Sequence, residues 1–174
     1  MRTAVIAATV AAALVAPAQA KEACQGQESD PSAGTMRLCV SSVLAPQAGY
    51  DYGPRQLMGT IEPAAAWCEG APGPGIGERI TVHFKPASRV SGISITNGYT
   101  RTEDTFRRNG RIKRARIETD RGTRTEVTLK DSPEPQKIAI PKTSALWVRM
   151  TILEVYPGTR GSDTCVTEFS VDME

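Results

Sequence analysis

Strand-length runs of alternating apolar and polar residues, each closed by turn residues, constrain this chain more than any other feature. The run 79–84 places Ile80, Val82 and Phe84 on one face, and 89–96 does the same with Ile93 and Ile95. The runs 123–129 and 165–171 align Val127 with Leu129 and Phe169 with Val171. Further strand-like stretches lie at 36–44, 111–119, 136–140 and 146–155. A period of two sends successive side chains to opposite faces of a pleated sheet. Turn residues interrupt at short intervals, as at Asp120-Arg121-Gly122, and no helical period is sustained. The pattern predicts an all-β sandwich or barrel whose unpatterned segments are loops. No internal repeat is present.

Residues 1–20 carry Arg2, an apolar run and the ending Ala18-Gln19-Ala20. A charged start, a short apolar stretch and a small-x-small end predict a secretory signal peptide, too short to span a membrane comfortably. No second apolar stretch follows, so no membrane span is expected in the mature chain. About 154 of the 174 residues then remain, enough for one domain with one core. The expected organisation is a leader at 1–20, an N-terminal arm at 21–35 and a single domain at 36–174. The chain has 21 Lys+Arg against 19 Asp+Glu, so loss of Arg2 leaves it near neutral and argues against nucleic acid as a partner.

Cys24, Cys39, Cys68 and Cys165 all follow the leader. An even number in an oxidising compartment reads as two disulfides, for which three pairings exist. Cys24–Cys39, closing a short loop, and Cys68–Cys165, joining distant segments, form the preferred pairing. No C-x-x-C pair supports a zinc ribbon or a thioredoxin-type site. The compartment is secreted or periplasmic.

Four stretches resist strand patterning: 41–52, 67–78, 97–111 and 156–164. Loops of an antiparallel sandwich cluster at two poles, and a Cys68–Cys165 bond would set two of these stretches side by side. They hold Tyr50, Tyr52, Trp67, Tyr99 and Tyr156, flat apolar faces with polar edges that suit a sugar. The candidate ligand-binding residues are Glu69, Asn97, Tyr99, Arg107, Asn109, Arg111, Tyr156 and Asp163, which supply donors and acceptors. Trp67 reads as a structural core plug at the base of the site, with Glu69 and the Gly-Pro loop on its rim. The loop Gly73-Pro74-Gly75-Ile76-Gly77 is a wide turn and no phosphate cradle, because a strand follows it and prolines remove donors.

Residues 101–124 hold nine basic and four acidic side chains. Such a run is usually a solvated face. Arg111 and Lys113 share the parity of the inward Ala115 and Ile117, which would carry them toward the pole and favour an anionic ligand. Catalysis is poorly supported. The single histidine, His83, alternates away from the apolar Val82 and Phe84, and no G-x-S-x-G or H-E-x-x-H motif occurs. A hydrolase acting on glycans or nucleotides, through Glu69 or Asp163, is the least favoured of three readings. A module binding an acidic envelope protein is the second, and a non-catalytic glycan-binding module is the first.

The stretches "SSVLAPQAGYDYGPRQLM", "AAAWCEG", "GIGERI", "VSGISITNGYTRTEDTFRRNGRIKRARI", "WVRMTILEVYPGTRGSDTC" and "TEF" occur in order. Together they resemble the discoidin family, the coagulation factor V/VIII type C domains, and more narrowly the NAD glycohydrolase translocation domain. The resemblance covers about three-quarters of the chain. It implies a galactose-binding-like jelly-roll sandwich that binds a glycan or cell-surface carbohydrate through loops at one pole, without catalysis of its own. NAD hydrolysis does not carry over, since no enzyme domain accompanies the module in this sequence. Related domains often hold calcium through an acidic segment before the tryptophan. Here that segment reads "MGTIEPAAAW", with Thr60 and Glu62 where the acids would be. Glu62, Glu168 and backbone carbonyls are the oxygens left for an ion that prefers six to eight of them, so no tight calcium site and no other cofactor is expected.

Overall fold

Two long strands, each bent along its length, organise the molecule. A computed structural model describes residues 22–27, 34–59 and 65–174. The expected leader and Glu62 lie outside the described residues. In chain order the strands are β1 (Ala23–Gln27), β2 (Thr35–Val40), β3 (Trp67–Cys68), β4 (Arg79–Asn97), β5 (Arg111–Thr119), β6 (Arg124–Thr128), β7 (Gln136–Tyr156) and β8 (Cys165–Met173). A 3-10 turn at Pro54–Leu57 and one short helix, α1 (Glu103–Arg108), complete the described elements.

The runs 79–84 and 89–96 are two halves of β4, and 136–140 and 146–155 are two halves of β7. The two strands pair on both sides of two register slips, one between His83 and Ser88 and one between Val90 and Gly92. Such slips bend a ladder and raise its twist. The first half of β4 joins β2 and the end of β7, while its second half joins β8 and the start of β7. β5 and β6 extend the β7 side, and β1 closes the other edge against β2. Local polarity marks a break near Pro86, and pairing with β7 resumes beyond it at Ser88.

One core lies between the two halves. Ile80 and Val82 meet Ile93 and Ile95 there, with Ile117, Val148, Met150, Ile152 and Phe169. Fully burying a side chain of this kind contributes about 1.5–3 kcal/mol. The architecture is the all-β sandwich that the alternation predicts. The arm at 21–35 contains an element of its own: Ala23–Gln27 pairs in register with β2.

Both expected disulfides are present, each between directly opposed residues of antiparallel strands. Cys24–Cys39 spans 15 residues and Cys68–Cys165 spans 97. Chain-entropy arguments assign about 3 kcal/mol to the shorter loop and between about 4 and 5 kcal/mol to the longer. Removing Cys68–Cys165 by paired alanine substitution is therefore expected to lower the denaturation midpoint more than removing Cys24–Cys39. Equilibrium unfolding of the two double variants in denaturant checks the order.

Candidate functional site

The Cys68–Cys165 bridge floors a cleft. Ala66, Cys68, Cys165 and Tyr99 form a small buried cluster, and Leu44 and Tyr52 pack on it. The segment 41–52 is tied to this floor by backbone bonds: Leu44 N–H donates to the Cys68 carbonyl at 2.9 Å, and Cys68 N–H donates to the Tyr52 carbonyl at 3.3 Å. The approach is close enough to demand glycine at position 70, where a Cβ would stand 2.2 Å from the Val43 oxygen. Further out, Gln47 and Tyr50 exchange both backbone bonds around Ala48-Gly49, two residues at positive φ. That primed turn projects Tyr50 over the cleft.

The second wall comes from 98–110. Gly98 N–H donates to the Cys165 carbonyl, which sets Tyr99 on the disulfide. Thr102 and Thr105 cap α1 reciprocally, and the Thr105 hydroxyl also donates to the Tyr99 carbonyl. The third wall, 157–163, lies along the end of α1. Arg160 N–H and Gly161 N–H donate to the Arg108 carbonyl at 3.2 and 2.8 Å, and Gly110 N–H donates to the Asp163 carbonyl at 2.9 Å.

The resulting cleft holds about 430 Å³. Tyr50, Tyr52 and Tyr99 form its aromatic side, with Tyr52 and Tyr99 edge to face at 6.3 Å. The Arg101 guanidinium stacks on Tyr50, its Cζ 4.5 Å from the ring centroid. Gln47, Asn109, Arg108, Arg160 and Asp163 supply the polar side. Of the eight expected ligand residues, Tyr99, Asn109 and Asp163 line this cleft.

The other five stand elsewhere, each for a definable reason. Asn97 is fully buried, and its amide donates to the Ile112 carbonyl and accepts from the Ile112 N–H, closing β4 onto β5. Tyr156 donates its hydroxyl to the Leu129 carbonyl. Arg107 lies on the far side of α1 and pairs with Glu103. Arg111 is buried. Its guanidinium grips Asp131 at 2.9 and 3.0 Å and donates to the carbonyls of Asn109, Phe106 and Pro157. It thereby holds two walls of the cleft without facing it. A register slip around Ile112–Ala115 also reverses the parity expected for Lys113, which is exposed and pairs with Glu154.

Glu69, expected on the rim, is fully buried. Its carboxylate accepts from Thr164 N–H at 3.2 Å and Ala71 N–H at 2.8 Å, under a loop where a Cβ on Gly75 would strike it. The Gly-Pro loop therefore latches onto Thr164, the residue before β8, and its Pro74 borders a separate shallow depression lined by 157–162. Trp67 is buried, its indole N–H donating to the Ser42 carbonyl at 2.9 Å. Glu168 packs against Gly59 and accepts the Thr96 hydroxyl. Among the described residues the one grouping of three possible metal ligands is Glu22, Cys24 and Cys39, and its cysteines are joined in a disulfide.

Sequence reasoning missed Arg101, Arg108 and Arg160 as cleft residues. The signal for Arg101 was its place two residues after Tyr99. Nothing local distinguished Arg108 from Arg107, because a six-residue helix decides which of the two faces the cleft.

Two stability effects follow. Arg111→Ala is expected to lower unfolding free energy by about 1–3 kcal/mol, since it strips donors from buried carbonyls; a denaturant titration checks this. Burial pushes the Glu69 carboxyl up to about 7 from an ordinary 4.5, with help from Asp163 and Glu78 and against the two N–H donors. The folded state then holds the extra proton between those values, so stability falls as pH rises through that window, by at most about 1.4 kcal/mol per unit. Glu69→Gln is expected to flatten this slope in melting curves taken from pH 4.5 to pH 8.

The fold has recognisable relatives. The arabinofuranosyltransferase AftD from mycobacteria matches with a TM-score of 0.62 at 20% identity, over 88% of this chain and 11% of that one. The present chain thus spans about a tenth of that enzyme. The family 32 carbohydrate-binding module of Clostridium perfringens NanJ, solved in complex with galactose, matches with a TM-score of 0.56 at 19% identity, over 78% and 92% of the two chains. A second such module from Clostridium perfringens, in complex with GalNAc-β-1,3-galactose, has a TM-score of 0.55 at 16% identity, over 78% and 94%. These likenesses show a shared galactose-binding-like fold. No curated protein sequence matches the chain. The model of the NAD glycohydrolase translocation F5/8 type C domain matches residues 31–172. The chain belongs to the NAD glycohydrolase translocation F5/8 type C domain family.

Proposed function

We propose that this domain is an exported, non-catalytic glycan-binding module whose ligand seats in the cleft above Cys68–Cys165. The observation that carries the reading is the convergence of three tyrosines with amide, carboxylate and guanidinium groups on one polar pocket. Tyrosine rings take the apolar face of a pyranose while polar edges bond its hydroxyls. Family membership and the sugar-bound structures of the same fold support it. Two disulfides and the leader-like residues 1–20 support export.

The envelope-protein reading loses its main support, because much of the basic segment is paired within the chain, as in Arg114 with Glu126 and Glu154. The hydrolase reading loses Glu69, which is fully buried and does not line the cleft. The reading does not rely on calcium: Glu168 accepts the Thr96 hydroxyl, and Glu62 lies outside the described residues.

The test is a glycan array with oxidised protein, exported by its own leader and starting at Lys21. Selective binding is expected, unchanged by a calcium chelator. Tyr50→Ala, which removes an exposed ring, is expected to weaken it about tenfold. A blank array with correctly bridged protein would move the function to a protein partner, and chelator sensitivity would restore a calcium site at Glu62 and Glu168.

A further inference from the structure

We propose that the cleft selects an anionic sugar, a glycan residue bearing a carboxylate, through Arg101, Arg108 and Arg160. The inference rests on the glycan-binding reading and narrows its ligand class. Ion pairing leaves Arg101 and Arg160 unengaged; other cations, among them Arg37, Arg55 and Arg149, also lack an ion pair among the described residues, but none of them lines the cleft. Every other cation from Arg107 to Arg124 has a carboxylate of its own chain within reach. Arg101 and Arg160 make no ion pair among the described residues. Arg108 has one, to Asp104 at 3.3 Å, between side chains 46% and 70% exposed. Exposed pairs of this kind hold a side chain only weakly.

Geometry converts this surplus into a site. Backbone bonds fix Arg160 beside Arg108, and the Arg101 guanidinium lies over the Tyr50 ring, within reach of the Tyr50 and Tyr99 hydroxyls. The residues lining the cleft therefore include three arginines against one acid, Asp163, with Arg160 also bordering the neighbouring depression. A concave site with a surplus of one sign concentrates the opposite charge, and the guanidinium fork matches a carboxylate in two parallel bonds. Asp163 adds an acceptor for sugar hydroxyls. The tyrosines add faces for the ring.

Calorimetric titration of the full chain with methyl β-D-glucuronide, methyl β-D-galactoside, galactose 6-sulfate and inorganic phosphate tests the inference. The glucuronide is expected to bind at least tenfold tighter than the neutral galactoside, with the preference shrinking between low and high salt. Arg101→Gln and Arg160→Gln are expected to weaken glucuronide binding about tenfold, and Arg124→Gln, remote on β6, to leave it unchanged. Equal affinity for the neutral sugar overturns the anionic selection and leaves the glycan reading standing. Tighter binding of the sulfated sugar overturns the carboxylate assignment, and phosphate competing as well as the glucuronide overturns the sugar component. Absence of binding by every sugar overturns both readings.

Discussion

The Cys68–Cys165 bridge is the constraint on which the functional end of the molecule depends. It locks a two-residue strand, β3, onto β8 across 97 residues of intervening chain. Two backbone pairs alone would be a weak anchor for the segments on either side. With the bridge in place, 41–52 docks on Cys68, 98–99 docks on Cys165, and Glu69 latches the Gly-Pro loop beneath Thr164. Three loops distant in sequence then share one floor.

Above that floor, rigidity comes from buried polar side chains. Asn97 stitches β4 to β5, Arg111 ties the end of α1 to the 157 segment, and Glu69 ties the 71–75 loop to Thr164, just before β8. Each sits where backbone groups of two segments would otherwise lack partners, and burial makes such groups costly to leave unsatisfied. The division of labour is consistent: these residues hold the walls, and more exposed residues on the same loops face the ligand space. Gly158 shows how tight the fit is, since a Cβ there would stand 2.2 Å from the Arg108 oxygen.

Much of the fold was legible before any coordinates. Ile80, Val82 and Phe84, or Phe169 and Val171, declare a buried face because a pleated strand repeats every two residues. The boundaries of β5 were legible for the same reason. The fusion of neighbouring runs into β4 and β7 was not, because a bend is made by pairing with distant strands and leaves only a polar interruption in the local pattern. For the site, the loops were identifiable by their lack of period, and Tyr99, Asn109 and Asp163 by residue type. Asn97, Glu69 and Arg111 have the same chemistry as ligand residues, and only their burial tells them apart.

By itself the sequence determined the all-β class, the positions of most strand segments though not of β1 and β3, and the loops of the site, since these follow from periodicity and turn chemistry over a few residues. Only the tertiary structure decided which polar residues hold the walls and which face the cleft. That choice depends on a slip at Ile112–Ala115, on the turn of a six-residue helix, and on carboxylates such as Asp131 and Glu154 arriving from elsewhere in the chain. Burial and ion pairing are properties of neighbours in space, and nothing within a few residues of Arg101 or Arg111 encodes them.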